Sequence, residues 1–269
     1  MNLLSKFFVV ATTLGTSLSV AASDTITLED IPKIKSVIQT SIDPEGEKIA
    51  FTRTAPRELY VDKDGGAYSE LYVVDDNGVE RPFITGKVNI SSISWSADGK
   101  NIYFRAKMDE DKFTSLYRIP VDGGQAQKVL SLKGRSISSY ELSPAGDQIA
   151  ILAMPAKDKS EKELKKLGFK AEVYELGLKD KQLHLVDLKM YDEALDPKAV
   201  EIEGYVSDMN YSNDGKTLLV KTQPTALIDD QYMKSKWHLF DIASQKVTLT
   251  YATEGKLGTA EFSHDDRYV

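Results

Sequence analysis

The chain has 269 residues, of which 41% are hydrophobic and 28% charged, which is enough to build a buried core in one large or two ordinary domains. Its 41 acidic and 34 basic residues give a net charge of -7, which disfavours a nucleic-acid groove because phosphate binding requires a positive surface. The sequence contains no cysteine, so disulfides, thiolate zinc sites and a lipidated cysteine are excluded.

Residues 1–22 have the pattern of a secretory signal peptide. Lys6 is their only charged side chain, residues 7–20 are apolar or small, and Ala22 ends a small-residue cleavage site. The segment is too short to span a bilayer, and an uncleaved amphipathic anchor is the alternative. We therefore expect cleavage near Ala22 and a periplasmic or secreted mature chain. No later segment is apolar enough to cross a membrane.

A short hairpin motif recurs along the mature chain. Residues 93–104 show it most clearly, because apolar and polar residues alternate on both sides of a tight turn at Asp98 and Gly99. The turn requires a positive backbone φ, which glycine adopts freely and which Asp266 tolerates in the last copy. The five turns are residues 43–46, 96–99, 143–146, 212–215 and 263–266.

A second hairpin follows each of the first four turns. If the four strands of a unit are called A to D, strand C lies at residues 71–75, 116–119, 183–187 and 237–241. Strand D lies at residues 82–85, 127–130, 199–202 and 247–251. Four-stranded antiparallel units that recur about every 50 residues are typical of propeller blades. The sequence therefore predicts an all-β fold, an incomplete β-propeller with four complete blades and the start of a fifth, in one domain over residues 23–269.

The connections between strands B and C are the longest, at residues 54–69, 106–114, 154–181 and 222–236. Because successive connections alternate between the two ends of a blade, all of them lie on one face, which is our candidate binding face; loops tolerated without a function are the alternative. In the longest loop, Ser160 with Glu163 and then Gly168 predict a short helix. The apolar pairs at residues 168–169 and 173–174 either pack back onto the sheets or face a partner.

No residues form a recognisable catalytic pattern. His184 and His238 occupy the strand C position that Tyr72 and Tyr117 fill in the other blades, which favours a structural role over catalysis. His264 lies at a turn position and is interpreted likewise. The G-x-S-x-G elbow of hydrolases is absent, since the nearest stretch, at residues 134–138, lacks the second glycine. We predict no catalytic, cofactor-binding or metal-binding residue in this chain.

The repeat W-S-x-D-G at residues 95–99 resembles that of TolB-like propellers and of the propeller in prolyl oligopeptidase-family serine peptidases. Three stretches resemble the exported, acylaminoacyl-peptidase-like members of that family. They are L-E-D-I-P at residues 28–32 leading into 42–51, Y-S-E-L-Y-V-V-D at residues 68–75, and G-F-K-A-E-V-Y-E at residues 168–175 ahead of 183–188.

The resemblance implies a propeller that admits short peptides to an α/β-hydrolase domain carrying Ser, Asp and His, and that screens folded proteins away from it. None of those catalytic positions falls within this chain, and the family's propellers have about seven blades. We therefore expect a truncated, inactive part of such a peptidase, with the missing C-terminal hydrolase domain and peptides as its partners. A stand-alone TolB-like periplasmic propeller that binds proteins is the alternative.

Overall fold

The computed structural model describes residues 25–28, 30–108, 110–156, 159–169, 178–251 and 256–269. The chain divides into two units, Met1–Ile34 and Lys35–Val269. The first unit holds a 3₁₀ turn, Ile31–Lys33, preceded by Asp30, whose carboxylate accepts hydrogen bonds from the backbone and the hydroxyl of Thr27. The predicted signal peptide lies outside the described residues.

In the described part of the second unit, four antiparallel sheets follow one another along the chain. The first contains β1 (Val37–Ile42), β2 (Lys48–Ala55), β3 (Tyr68–Asp75) and β4 (Glu80–Ile84). The second contains β5 (Ser91–Trp95), β6 (Asn101–Ala106), β7 (Ser115–Pro120) and β8 (Gln127–Leu130). The third contains β9 (Ile137–Leu142), β10 (Gln148–Ala153) and β11 (Gln182–Asp187). The fourth contains β12 (Tyr205–Tyr211), β13 (Thr217–Gln223), β14 (Lys236–Asp241) and β15 (Lys246–Tyr251).

Each sheet is a meander in which consecutive strands are neighbours. This arrangement confirms the predicted all-β fold, an incomplete β-propeller whose sheets are its blades. In the described parts of the loops between strands B and C there are two helices. The helix α1 (Lys159–Lys166) follows β10, and α2 (Ile228–Met233) follows β13.

The five turns between strands A and B share one geometry. In each turn the residue at the glycine position donates its N–H to the first turn residue, as Gly99 does to Ser96 at 2.9 Å. The backbone φ is +66° at Gly99 and +56° at Asp266, as the sequence predicts. Neighbouring turns also touch. Gly99 lies so near the preceding turn that a Cβ atom built on it would be 3.7 Å from Cδ of Pro44. Likewise, the carboxylate of Asp266 in the fifth turn accepts a hydrogen bond from the N–H of Asn213 in the fourth, at 2.8 Å. The turns therefore form a continuous row.

Three hydrophobic clusters join the sheets in pairs. Each cluster contains residues from the facing surfaces of two consecutive sheets. The second and third sheets have a neighbour on each side and therefore bury both of their faces. For this reason β10 is buried over five successive residues rather than at alternate positions. Examples of fully buried residues are Leu71 and Phe104 in the first cluster, Leu130 and Ile149 in the second, and Leu152 and Leu218 in the third.

The third sheet differs from the prediction at its outer edge. The expected closing strand, residues 199–202, is not a strand, and the sheet has three strands among the described residues. One hydrogen bond joins this segment to β11, from the N–H of Val200 to the C=O of Leu183 at 2.8 Å. The segment thus touches the strand D position at one residue without forming a ladder.

A buried arginine explains why the ladder fails. Nη2 of Arg135 donates to Oδ1 of Asp196 at 3.2 Å and to the C=O of Pro197 at 3.4 Å. The N–H of Leu195 also donates to the C=O of Ser131 at 2.8 Å, beyond the end of β8. These contacts hold the chain toward the second sheet immediately before the expected strand, and Pro197 has no N–H to contribute to a ladder.

The helix predicted in the longest loop is confirmed as α1, and Gly168 ends it as expected. Gly168 has a φ of +94° and donates its N–H to the C=O of Lys165, while Phe169 donates to the C=O of Leu164 at 3.0 Å. This pair of hydrogen bonds is the Schellman arrangement, which favours glycine. The Ser160 side chain and residues 170–177, including the apolar pair at 173–174, lie outside the described part of the loop.

Candidate binding face

The strand order places the loops between strands B and C at the end of each sheet opposite the row of turns. The four loops connect β2 to β3, β6 to β7, β10 to β11 and β13 to β14. This end of the four sheets is the candidate binding face predicted from loop length. The side chains that fix each loop and the side chains that it exposes determine what the face can do.

Arg57 fixes the base of the first loop. Its Nε donates to the C=O of Gly66 at 2.7 Å, its Nη1 donates to Oη of Tyr68 at 3.0 Å, and its guanidinium lies 4.3 Å from the centre of the Tyr68 ring. The tip of the loop carries Leu59 and Tyr60, both exposed, and Tyr60 has a φ of +66°. A charged anchor therefore presents an apolar tip to solvent.

Asp111 fixes the second and shortest loop. Its carboxylate accepts a hydrogen bond from Oη of Tyr117 at 2.5 Å and pairs with Lys128. Partial burial opposes ionisation of Asp111, but the hydrogen bonds from Lys128 and Tyr117 prevail and hold its pKa below the ordinary value. Asp111 therefore carries its negative charge at neutral pH and ties the loop to β7 and β8.

Asp230 organises the fourth loop around α2. Its buried carboxylate accepts the hydroxyl of Thr225 at 2.6 Å and pairs with Nζ of Lys234 at 2.8 Å. The helix also exposes Tyr232 and Met233. This loop has the same design as the first, with a fixed base and an apolar tip.

The third loop also exposes apolar side chains. Leu164, Leu167 and Phe169 are exposed on α1 and at its end. Three of the four loops thus present large apolar side chains to solvent, which is a common property of surfaces that bind peptides or proteins.

The strand register aligns the residues that the repeat placed at one position. Tyr72, Tyr117, His184 and His238 each lie opposite a strand B residue at the matching place: Phe51, Phe104, Ile151 and Val220. The two tyrosines stack on the phenylalanines that face them, with ring centres 5.6 and 5.7 Å apart.

The two strand histidines differ in their surroundings. His238 lies between the hydroxyls of Thr222 and Thr250, at 2.8 and 2.9 Å from its ring nitrogens. His184 is buried, and its ring lies beside the backbone of Pro197 and Lys198. Burial lowers the pKa of both imidazoles, so both are neutral at pH 7. His264 is exposed at the fifth turn.

The described residues contain no group of three or more His, Cys, Asp or Glu positioned to hold a metal ion. Ser136, the serine in the stretch nearest to a hydrolase elbow, accepts a hydrogen bond from the N–H of Thr114 at 3.1 Å. It therefore joins the second loop to β9, and no histidine hydrogen-bonds to it in the described part of the chain. Nor do the described helices include one that is long and apolar enough to span a bilayer.

Neither a scan against protein-family models nor a search of curated proteins finds a match. Among solved structures, the chain resembles an acylaminoacyl peptidase in complex with Z-Gly-Gly-Phe-chloromethyl ketone, at 14% identity and a TM-score of 0.58 over 83% of this chain and 33% of that one. It resembles the Pyrococcus horikoshii acylaminoacyl peptidase at 13% identity and a TM-score of 0.54, over 79% and 32% of the two chains. It also resembles TolB from Acinetobacter baumannii, at 14% identity and a TM-score of 0.52, over 81% and 43%.

These similarities confirm, for the fold, the resemblance to prolyl oligopeptidase-family peptidases and to TolB. The chain spans less than half the length of each of these three structures. Because one fold serves both kinds of protein, the function must be argued from the loops and from the residues they carry.

Proposed function

We propose that this chain is the N-terminal, substrate-gating propeller of an exported serine peptidase of the prolyl oligopeptidase family, similar to acylaminoacyl peptidases. Peptide hydrolysis belongs to the parent enzyme, whose Ser, Asp and His lie in an α/β-hydrolase domain outside these residues. The observation that carries the proposal is the fold match over 83% of this chain and only 33% of an acylaminoacyl peptidase. The rest of that peptidase leaves room for a separate catalytic domain.

The candidate binding face supports a gating role. Its loop bases are fixed by Arg57, Asp111 and Asp230, so a ligand need not order the loops when it binds. The apolar tips offer contacts to the side chains of an extended peptide. In a folded protein the corresponding side chains are mostly buried and cannot reach these tips.

The export of the protein belongs to the same proposal. Residues 1–22 are a signal peptide cleaved near Ala22, and residues 23–269 are the propeller domain of a periplasmic or secreted product. The apolar run after Lys6 supports this organisation, and the product carries no lipid-modified cysteine because the sequence has no cysteine.

A stand-alone periplasmic propeller that binds protein partners is the second candidate. The match to TolB from Acinetobacter baumannii favours it, as do the exposed apolar tips of three loops. This candidate needs no hydrolase domain, and the loops then contact a protein partner rather than a peptide in transit.

Mass spectrometry of the native protein from the producing cells, with sequencing of the coding DNA past Val269, distinguishes the two candidates. The peptidase proposal expects a longer product that continues through further blades to a G-x-S-x-G segment. A native product that ends at Val269, followed by an unrelated gene, would contradict it.

A second measurement addresses the chemistry directly. Purified residues 23–269 should not hydrolyse acyl-peptide or prolyl substrates, since the proposal assigns catalysis to another domain. Hydrolysis that a serine-directed inhibitor abolishes would overturn that assignment.

A further inference from the structure

The outer edge of β11 is left unpaired where the other blades pair a closing strand. Leu185 follows His184 on strand C, and the repeat aligns it with one residue in each other blade. Those equivalent residues all have a strand D partner: Val73 faces Arg81, Arg118 faces Gln127, and Leu239 faces Leu249. In the described residues of the third sheet, Leu185 has a partner on β10 only.

The backbone groups of Leu185 point toward this empty edge. On an antiparallel strand the N–H and C=O of one residue point to the same side, and the side alternates from residue to residue. The C=O of Leu183 accepts the N–H of Val200 at 2.8 Å, so it points away from β10, and Leu185 must do the same. Among the described residues, neither the N–H nor the C=O of Leu185 has a hydrogen-bond partner.

A groove lies against this edge. A cavity of about 710 Å³ is lined by Leu185, by residues 198–201 and by residues 244–247 at the start of β15. A second cavity of about 580 Å³, which His238 lines, shares Glu201 and Val247 with the first. The size of each cavity falls within the range usual for ligand sites. The first cavity, which we call the groove, lies beside Leu185, at the edge where a fourth strand would otherwise pair.

The charges of the groove do not favour a highly charged ligand. At the β11 end, Nζ of Lys198 and Oε1 of Glu201 pair with each other at 3.0 Å, and Lys246 is exposed. The unpaired groups at the β11 edge are the backbone N–H and C=O of Leu185. This pair matches one acceptor and one donor of a peptide backbone.

We propose that the groove beside β11 binds an extended peptide segment, which pairs with Leu185 and takes the place of the closing strand of the third blade. Binding of this kind adds a strand to a sheet edge, with backbone hydrogen bonds supplying affinity. The site lies on the outer edge of one blade, and the proposal does not depend on whether the chain belongs to a peptidase.

Titration of the purified chain with acetyl-Thr-Val-Thr-Val-amide, followed by amide NMR and hydrogen exchange, tests the proposal. The Leu185 amide should shift and become protected. The same peptide N-methylated at all four residues should bind more weakly by roughly tenfold or more, because it has lost the backbone donors on both of its edges. Absence of binding at millimolar peptide, or equal binding of both peptides, would overturn the proposal.

A pair of variants locates the site. Ala199→Trp fills the groove and should abolish protection of Leu185, whereas Gln127→Trp places the same side chain on β8, where the ladder is complete, and should leave binding unchanged. Thermal unfolding of both variants establishes that they fold. Equal binding to folded Ala199→Trp would contradict the location.

Discussion

The first blade and the three that follow carry an aliphatic residue three positions after the turn glycine, and they bury it to different extents. Ile49 of β2 is 38% exposed, whereas its equivalents Ile102, Ile149 and Leu218 are 0% exposed. The equivalents in the second to fourth blades pack against the sheet before them. Ile42, at the end of β1, is likewise 65% exposed, while its equivalent Trp95 is 8% exposed.

The difference shows that the repeat gives every sheet the same apolar face, and that this face is buried only where a neighbouring sheet covers it. The same alternation of apolar residues occurs in every blade, but in the described structure no sheet covers this side of the first one. The contribution of an apolar residue to stability should therefore depend on its place in the series of blades.

The sharpest test exchanges the same side chain in both settings. Ile102→Ala should lower the free energy of unfolding by about 2–5 kcal/mol, because it leaves a cavity between the first and second sheets. Ile49→Ala should lower it by less than about 1 kcal/mol, since water already reaches that side chain. Urea unfolding of both variants measures the difference, and equal losses would contradict the comparison.

The junction between the third and fourth sheets should depend on pH. Burial raises the pKa of Glu141 from 4.5 to about 7, against the opposing effect of a hydrogen bond that its Oε1 accepts from the N–H of Tyr211 at 3.0 Å; the negative charge of Asp208 adds to the rise. The folded state then holds a proton that the unfolded state releases. The stability from this group is therefore complete below pH 4.5 and is lost as the pH rises to about 7.

Glu141→Gln isolates this effect, because glutamine keeps an acceptor and does not titrate. Between pH 4.5 and about pH 7, the natural chain should lose up to about 3 kcal/mol of unfolding free energy relative to the variant. Urea unfolding at pH 4.5, 5.5, 6.5 and 7.5 (about one unit apart, to cover the transition) supplies the curve. Parallel curves for the two proteins would show that Glu141 is not the titrating group.

The junction between the first and second sheets should lack that pH dependence. Nε1 of Trp95 donates to the C=O of Ser41 at 2.9 Å, and neither group titrates. Trp95→Phe removes the donor and part of a buried ring, and should cost about 1–3 kcal/mol of stability at every pH. A cost that varies with pH would contradict this assignment.

The smallest effect is expected at the fifth turn. Asp266→Gly restores the residue found at the other four turns but removes the carboxylate that accepts the N–H groups of Asn213 and Asp214. Hydrogen exchange at those two amides should become faster, while global unfolding stays nearly unchanged. Unaltered exchange would show that the carboxylate does not protect the fourth turn.

Much of the fold is predictable because turns and alternating strands are local signals. Gly99 and its equivalents require a positive φ, so five turns could be placed from single residues, and Gly168 identified the end of α1. The missing strand at residues 199–202 could not be predicted, since it depends on Arg135, about 60 residues away, holding Pro197.

The candidate binding face was predictable only as a set of long loops. Their anchors, Arg57, Asp111 and Asp230, are charged residues in polar segments, and such segments are rich in similar charges that anchor nothing. The unpaired backbone of Leu185 has no sequence signal at all, because it results from the absence of a neighbour. Contacts between distant segments decide these features.

The row of turns joins each blade directly to the next. Each turn has four residues and touches the turn before it, from Pro44 with Gly99 to Asn213 with Asp266. The turn of the third blade keeps these contacts although that blade carries the long loop that holds α1 at its other end, since Gly146 lies against Ala97 and Gly215 against Pro144. The loops of the binding face can therefore differ in length from blade to blade while the opposite end of the sheets keeps one repeated contact.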